Sequence, residues 1–258
     1  MPSAPASPTH PRDLIVGLAK GLAVIEAFDQ APAPLTMAEV ARRCAITRAA
    51  ARRCLLTLQQ LGYVHGDGKH FGLSAKVLRL GQSYLYSAPL PRFIQPALHK
   101  LSSALKEAAS AGVLDGDDVI CVAATAAGRV ISATLQLGTR VPAYCTANGR
   151  VLLAALAPAT LDAWLARQSL HARTPSTLTS VARLRSEVGR VRAQGYACVD
   201  QELEAGLRTI AVPLVNAQGT TLAAMNVSVH AGRVSIDHLI EHCLPALRQA
   251  QAGLRGLL

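Results

Sequence analysis

The sequence predicts an α+β chain that opens with a winged helix-turn-helix and continues through a connecting helix into a larger sheet-containing domain. Three observations carry this. Thr36 and Glu39 stand at the spacing of a capping box, ahead of two short amphipathic helices separated by a three-residue turn. An Asp-Gly pair at Asp67 and Gly68 sits between two short β-prone pieces, which is a hairpin signal. Beyond residue 110, β-prone runs alternate with helical ones and are punctuated by Gly, Asp and Pro.

The first helix is written by Leu14, Leu18, Leu22, Ile25 and Phe28, apolar at three- and four-residue steps, and it ends before the "APAP" of residues 31–34. It is expected to pack against the helices after it. "MAEVARRC" makes a helix of two turns, "AIT" turns the chain, and Thr47 caps the next helix. That helix carries an apolar stripe of Ala51, Cys54, Leu55 and Leu58, and Gly62 is placed to end it in the left-handed conformation. At about 100° per residue, Ala49, Arg52, Arg53 and Gln60 fall on the side away from the stripe, with Arg48 in the exposed first turn. The leucines anchor the helix and the arginines are free to enter a groove. There Arg bonds guanine O6 and N7 bidentately or neutralises phosphate, and alanines at 49 and 50 permit close approach. Lys69 and His70, on the wing hairpin, would lie beside phosphates.

Charge placement agrees. The 258-residue chain has a net charge of +10. Residues 41–70 hold six basic side chains against Asp67 alone, half of that excess. A basic run by itself is commonly a solvated helix face. Here it stands among a capping box, a short turn, a glycine stop and a wing, which together point to nucleic acid. Double-stranded DNA is favoured over RNA because aromatic residues are only 3% of the chain and no stacking platform is visible.

After the wing, residues 74–90 read as a linker helix with Val77, Leu78, Leu80 and Leu85 as an apolar seam for a partner chain, closed by "APLP" at 88–91. A helix to about Ala109 is expected, then strands near 111–115, 118–124 and 129–135 and a helix from about Asn148. Another helix from Ser180 should stop at Gly195, followed by strands near 196–201, 207–215 and 221–229 and a last helix from Ser235. The "DGDD" of 115–118 reads as a hairpin turn rather than a metal cluster. These elements divide the chain into a disordered tail at 1–12, a DNA-binding domain at 13–73, the linker at 74–90 and an effector domain at 91–258.

Several stretches resemble the IclR family of bacterial transcription regulators, especially its branch controlling aromatic-acid catabolism. They are "LTMAEVARRCAITRAAARRCLLTLQQLGYVHGDGKHFGLSAKVLRLGQSYL", "GVLDGDDVICVA", "GTRVPAYCTANGRVLLAAL", "GYACVDQELEAGLRTIAVPL" and "AAMNVSVHAGR". The resemblance covers nearly everything after about Leu14. It implies a C-terminal, GAF/PAS-like effector-binding domain with a curved antiparallel sheet flanked by helices, and dimers or dimers of dimers. It departs at Gly17, Leu18, Ala19 and Lys20, where relatives usually carry Ser-Leu-x-Arg, and at Thr47, where they carry Ser. It also departs at Ala147 and Asn148, which replace Ser-Met, and at Gly112, where a larger residue is common.

In "TANGRVLLAALA", small residues open a helix. The unpaired N–H groups of Ala147, Asn148 and Gly149 therefore make an anion receptor for a carboxylate. The resemblance points to the same segment, to Leu207, Arg208 and Thr209, and to Asn226 and Ser228, which alternation places on one strand face. Val130, Val141 and Val199 are expected as apolar walls, with Tyr144 nearby. Together these describe a small pocket suited to an aromatic or short organic acid. Tyr144 and Arg208 have ordinary packing as an equal alternative, and Arg208 in particular could tie strands or subunits together.

Two other functional classes match parts of the chain. "HLIEH", with His238, Glu241 and His242, matches the H-x-x-E-H pattern of some zinc hydrolases. The remaining residues 243–258 offer no further Asp, Glu or His, and Pro245 is expected to break the helix. An RNA-binding winged-helix module is the other alternative. No G-x-S-x-G elbow, Walker loop or G-x-G-x-x-G is present, and neither catalysis nor a cofactor is expected. The six cysteines show no C-x-x-C pair. The longest apolar runs fall far short of the roughly 20 residues that cross a bilayer. No membrane partner and a cytoplasmic location are therefore expected.

Overall fold

The computed structural model describes residues 13–29, 34–125 and 136–258. The expected tail at 1–12, the strand near 129–135 and Val130 lie outside the described residues. The backbone forms two compact units, Met1–Ser87 and Ala88–Leu258.

In the first unit, helix α1 (Val16–Glu26) buries Val24 against the core, with Ile25 and Phe28 partly covered. The helix thus packs against the elements after it as expected, while Leu14, Leu18 and Leu22 remain on the surface. Strand β1 (Leu35–Thr36) leads into α2 (Met37–Arg43). There the Thr36 hydroxyl accepts the Glu39 N–H at 3.3 Å and Glu39 Oε2 accepts the Thr36 N–H at 2.7 Å, completing the capping box. After a turn in which Ala45 is left-handed (φ 51°), α3 (Arg48–Gln60) starts at Thr47, whose hydroxyl accepts the Ala50 N–H. Ala51, Leu55 and Leu58 are buried beneath it and Gly62 takes φ 79° just past its end. Strands β2 (Val64–Gly66) and β3 (His70–Leu73) form the wing hairpin, and β1 adds a third strand along β3. Two residues are too few to show a strand period, so β1 left no sequence signal. A 3-10 turn (Ala75–Val77) and α4 (Leu78–Ser87) close the unit.

The second unit begins with α5 (Pro89–Leu105). It stops earlier than expected because Lys106 takes a left-handed cap (φ 56°), a role a lysine does not advertise. Strand β4 (Ala108–Asp115) follows, then β5 (Asp118–Thr125), β6 (Arg140–Pro142), a 3-10 turn (Ala143–Cys145) and α6 (Ala147–Ala154). Next come α7 (Pro158–Ala166), α8 (Val181–Gln194), β7 (Ala197–Asp200), β8 (Leu207–Val215) and β9 (Thr221–His230). The six strands form one antiparallel sheet in the order β6-β5-β4-β9-β8-β7.

Alternation sorts the sheet residues into two cores. Ile210, Val212, Met225, Val227 and Val229 face Ile94 and Leu98 of α5 and the C-terminal helices. Ala211 and Ala224 face the other way, onto a core of Leu153, Trp164, Leu184 and Val188 from α6, α7 and α8. The chain ends in α9 (Ile236–His238), a π-helical turn (Leu239–Cys243) and α10 (Leu244–Leu254). Pro245 does not break the helix as expected. It sits two residues into α10, directly after the π turn, and the π turn is where the helix accommodates a residue with no N–H.

Candidate DNA-binding face and effector hollow

Arg48, Ala49, Arg52 and Arg53 are exposed on α3, opposite the buried Ala51, Leu55 and Leu58. Among the described residues none of these arginines pairs with a carboxylate: the ion pairs of this unit are confined to His70 and Asp67. The guanidinium charge on this face is therefore available to an outside anion. Asp67 Oδ1 accepts the N–H groups of Lys69 (2.8 Å) and His70 (2.7 Å), which shapes the wing turn and holds the carboxyl below its usual range. Lys69 is exposed and His70 half-buried. Gln59 Nε2 donates to the Gly66 carbonyl at 3.1 Å and so ties α3 to the wing. Lys76 donates to the carbonyl of Leu61 at 2.7 Å, capping the end of α3, a contact that the sequence pattern did not reveal.

In the second unit a narrow hollow of about 30 Å³ lies between the sheet and the start of α6. Val141, Ala147, Asn148, Val199, Leu207, Thr209, Asn226 and Ser228 line it, as do Cys145, Thr146 and Leu203, which carry no mark in the sequence. Polar and apolar linings are separated. Asn148, Thr209, Asn226 and Ser228 give one polar patch, and Val141, Val199, Leu203 and Leu207 supply hydrocarbon. Among the described residues no lining side chain is charged. Burial pushes the Cys145 thiol up to about 11, so it stays protonated and neutral at physiological pH.

Three expectations require revision. Gly149 cannot offer its N–H to an anion, because that group donates to Thr146 Oγ1 at 3.2 Å as part of the helix cap. The glycine has a different role: a Cβ there would stand 2.1 Å from the Ala143 carbonyl oxygen, so only glycine lets α6 start this close to the preceding turn. Tyr144 turns out of the hollow. Its hydroxyl donates to the His171 carbonyl at 2.7 Å, and it lines a separate open cleft with Arg167 and Arg173. Arg208 is also outside the hollow. It grips Asp200 on the adjacent strand with Nε at 2.8 Å and Nη2 at 3.0 Å, and the charge-assisted pair lowers the Asp200 pKa. This is the strand-tying alternative.

The "DGDD" segment is the β4–β5 turn, with Gly116 at φ 63° and Asp115 paired to Arg140 at 2.5 Å. His238 and His242 lie on the surface with ring centroids 4.4 Å apart. Among the described residues no group of three His, Cys, Asp or Glu side chains is placed to hold a metal ion. No helix of the described residues is long and apolar enough to cross a membrane.

Comparison with known proteins assigns both units. Residues 17–68 match the IclR helix-turn-helix domain, and residues 82–254 match the family described as bacterial transcriptional regulator IclR C-terminal. The chain is 48% identical over 243 residues to the Pca regulon regulatory protein of Pseudomonas putida, covering 94% of this chain and 84% of that protein. It is 40% identical over 251 residues to the p-hydroxybenzoate hydroxylase transcriptional activator of Acinetobacter baylyi, covering 95% and 93% respectively. Among solved structures, it resembles the inducer-binding domain of a double mutant of the Acinetobacter transcription factor PobR, in complex with 3-hydroxybenzoic acid. That match has a TM-score of 0.62 and 34% identity, and covers 65% of this chain and 98% of that one.

Proposed function

The chain belongs to the IclR family of bacterial transcriptional regulators, and from that premise we propose how its two units divide the work. The first unit grips double-stranded operator DNA, with α3 in the major groove and the wing beside the backbone. The second senses a small organic acid, an aromatic carboxylate or a close analogue, in the hollow at the start of α6. The chain acts by binding rather than by catalysis, in the cytoplasm.

One observation carries the DNA-binding half. Arg48, Arg52 and Arg53 project from a helix whose opposite face is locked by Ala51, Leu55 and Leu58, and no described carboxylate neutralises them. The sensing half is supported by the hollow, by the first-turn N–H groups of Ala147 and Asn148 that can receive a carboxylate, and by the hydroxybenzoate bound to the PobR domain. The exposed Leu14 just ahead of α1, Leu18 and Leu22 of α1, and Leu78 and Leu80 of α4 support self-association as a dimer or dimer of dimers. A symmetric dimer would place two copies of α3 on the half-sites of a pseudo-palindrome.

Response to the acid requires that it bind two arrangements of the DNA-bound and free protein with different affinity. The test is footprinting on the DNA flanking the gene, followed by operator titration with and without benzoates, phthalates, protocatechuate and oxoadipate-like acids. Protection of a palindromic site, with an affinity that changes with at least one acid, is the expected result. An affinity that no acid alters would remove the sensor role, and an absence of any protected site would remove the regulator.

A further inference from the structure

Residues 234–247 carry Asp237, His238, Glu241 and His242 and no Lys or Arg. The inner face of this stretch is fixed: Leu239 is fully buried and Cys243 nearly so, and the Ser235 hydroxyl accepts the His238 N–H at 3.1 Å. His238 and His242 are thereby held one turn apart on an anchored backbone, with both side chains exposed to solvent. Their ring centroids are 4.4 Å apart and the ring planes are tilted by 45°. Among the described residues neither ring makes a hydrogen bond or an ion pair. His70, His99, His171 and His230 differ, since each has a partner for a ring nitrogen, namely Asp67, Gln95, Ser169 and the Gly232 N–H.

A neutral imidazole offers one nitrogen lone pair and binds a transition metal at about 2.0 to 2.1 Å, with the ring centre roughly 1.1 Å further out. Two rings on one ion then have centres about 4.5 Å apart when the N–metal–N angle is a right angle and about 5.2 Å apart when it is tetrahedral. The spacing of His238 and His242 meets the first of these. Asp237 and Glu241 add negative potential beside the pair, and the cation that precedes them in the chain, Arg233, is already bound to Glu107. We propose that His238 and His242 form a two-imidazole chelate for a divalent late transition metal that takes right-angled ligand positions, such as Ni²⁺ or Cu²⁺. No third His, Cys, Asp or Glu is placed to join them among the described residues, so water completes the coordination. The H-x-x-E-H stretch then has a ligand without the third protein donor that the zinc hydrolases use.

Calorimetric titration of the untagged, chelator-treated full chain with NiCl₂, beside His238→Ala and His242→Ala, tests this. The natural chain should bind Ni²⁺ at this pair, and each substitution should weaken that binding by about tenfold or more, because the second imidazole binds intramolecularly once the first has engaged. Both side chains are exposed, so the metal-free variants should keep the Tm of the natural chain, which reports that they are folded. Electron paramagnetic resonance of the natural chain with Cu²⁺ should show two coordinated imidazole nitrogens. Absence of Ni²⁺ binding, or binding that either folded variant retains in full, overturns the proposal. Should a variant not fold, the copper spectrum decides alone, and fewer than two imidazole nitrogens on the metal refutes the chelate.

Discussion

Arg150 and Glu202 are joined across the second unit by a 2.6 Å charge-assisted bond, with their side chains 2% and 9% exposed. Arg150 stands on α6 two residues after Asn148, and its Nε also donates to the Tyr144 carbonyl at 3.2 Å. Glu202 Oε2 accepts the Leu178 N–H at 3.0 Å, and its backbone carbonyl accepts from Thr177 Oγ1 at 2.6 Å. One buried pair therefore fastens the helix that opens onto the hollow to the loop that contributes Leu203 to its wall.

Removing one partner leaves the other charge buried and unpaired, which costs more than the pair contributes. Glu202→Ala should lower stability by about 3 to 5 kcal/mol in urea unfolding. A loss below about 1 kcal/mol would show that the guanidinium finds solvent or Glu187 instead; that carboxylate is already 3.8 Å from it.

Arg52→Ala should weaken operator binding by about 1 to 3 kcal/mol if the guanidinium reads a base edge. It should leave thermal stability unchanged, because the side chain is exposed and has no internal partner among the described residues. Titrating the variant on operator and on unrelated duplex separates the two roles. A base contact relaxes discrimination between the two DNAs, whereas a phosphate contact weakens both equally and lowers the salt slope.

Gly149→Ala should destabilise the second unit by about 1 to 3 kcal/mol, in the range of overpacked interiors. The new methyl would meet the Ala143 carbonyl oxygen at 2.1 Å and its Cα at 2.3 Å, both backbone atoms that yield only if the 3-10 turn moves away from α6. Because that turn and the first residue of α6 line the hollow, acid binding should weaken along with stability. A Tm equal to that of the natural chain would mean the turn shifts without cost.

How far the sequence revealed these features depends on how local each one is. The capping box, the arginine face of α3 and the Asp-Gly wing are each set by residues close together in the chain, and all were legible as spacing. The alternation that puts Asn226 and Ser228 on one face of β9 was legible for the same reason. Which side chains complete the hollow was not, because Ser110 meets Asn226 across 116 residues of chain and Leu203 arrives from a loop pinned by a buried ion pair. Tyr144 and Arg208 illustrate the limit. Each neighbours hollow-lining residues in the chain, yet a hydrogen bond to His171 turns one outward, and strand alternation with an ion pair to Asp200 holds the other on the opposite face of β8 from Leu207 and Thr209. A left-handed lysine at 106 and a two-residue strand at 35–36 carry no compositional mark at all.

The Arg208–Asp200 pair sets an acid limit on that edge of the sheet. Arg208 lowers the folded-state pKa of Asp200 below its ordinary value of about 3.9. A carboxyl whose pKa is depressed on folding contributes stability that is fully present above its unfolded pKa and is lost as pH falls through the folded one. The contribution is therefore constant at neutral pH and disappears below about pH 4. Since Asp200 is about one-third exposed, solvent screens the pair, and Arg208 also holds the Ala231 carbonyl at 3.4 Å. Asp200→Asn should then lower stability modestly at pH 7 and narrow the gap to the natural chain as pH drops from 5 to 2.5, with the two unfolding curves converging in acid. Parallel curves across that interval would assign the acid sensitivity to other carboxylates, such as Glu187 beside Arg190, whose pKa is lowered in the same way.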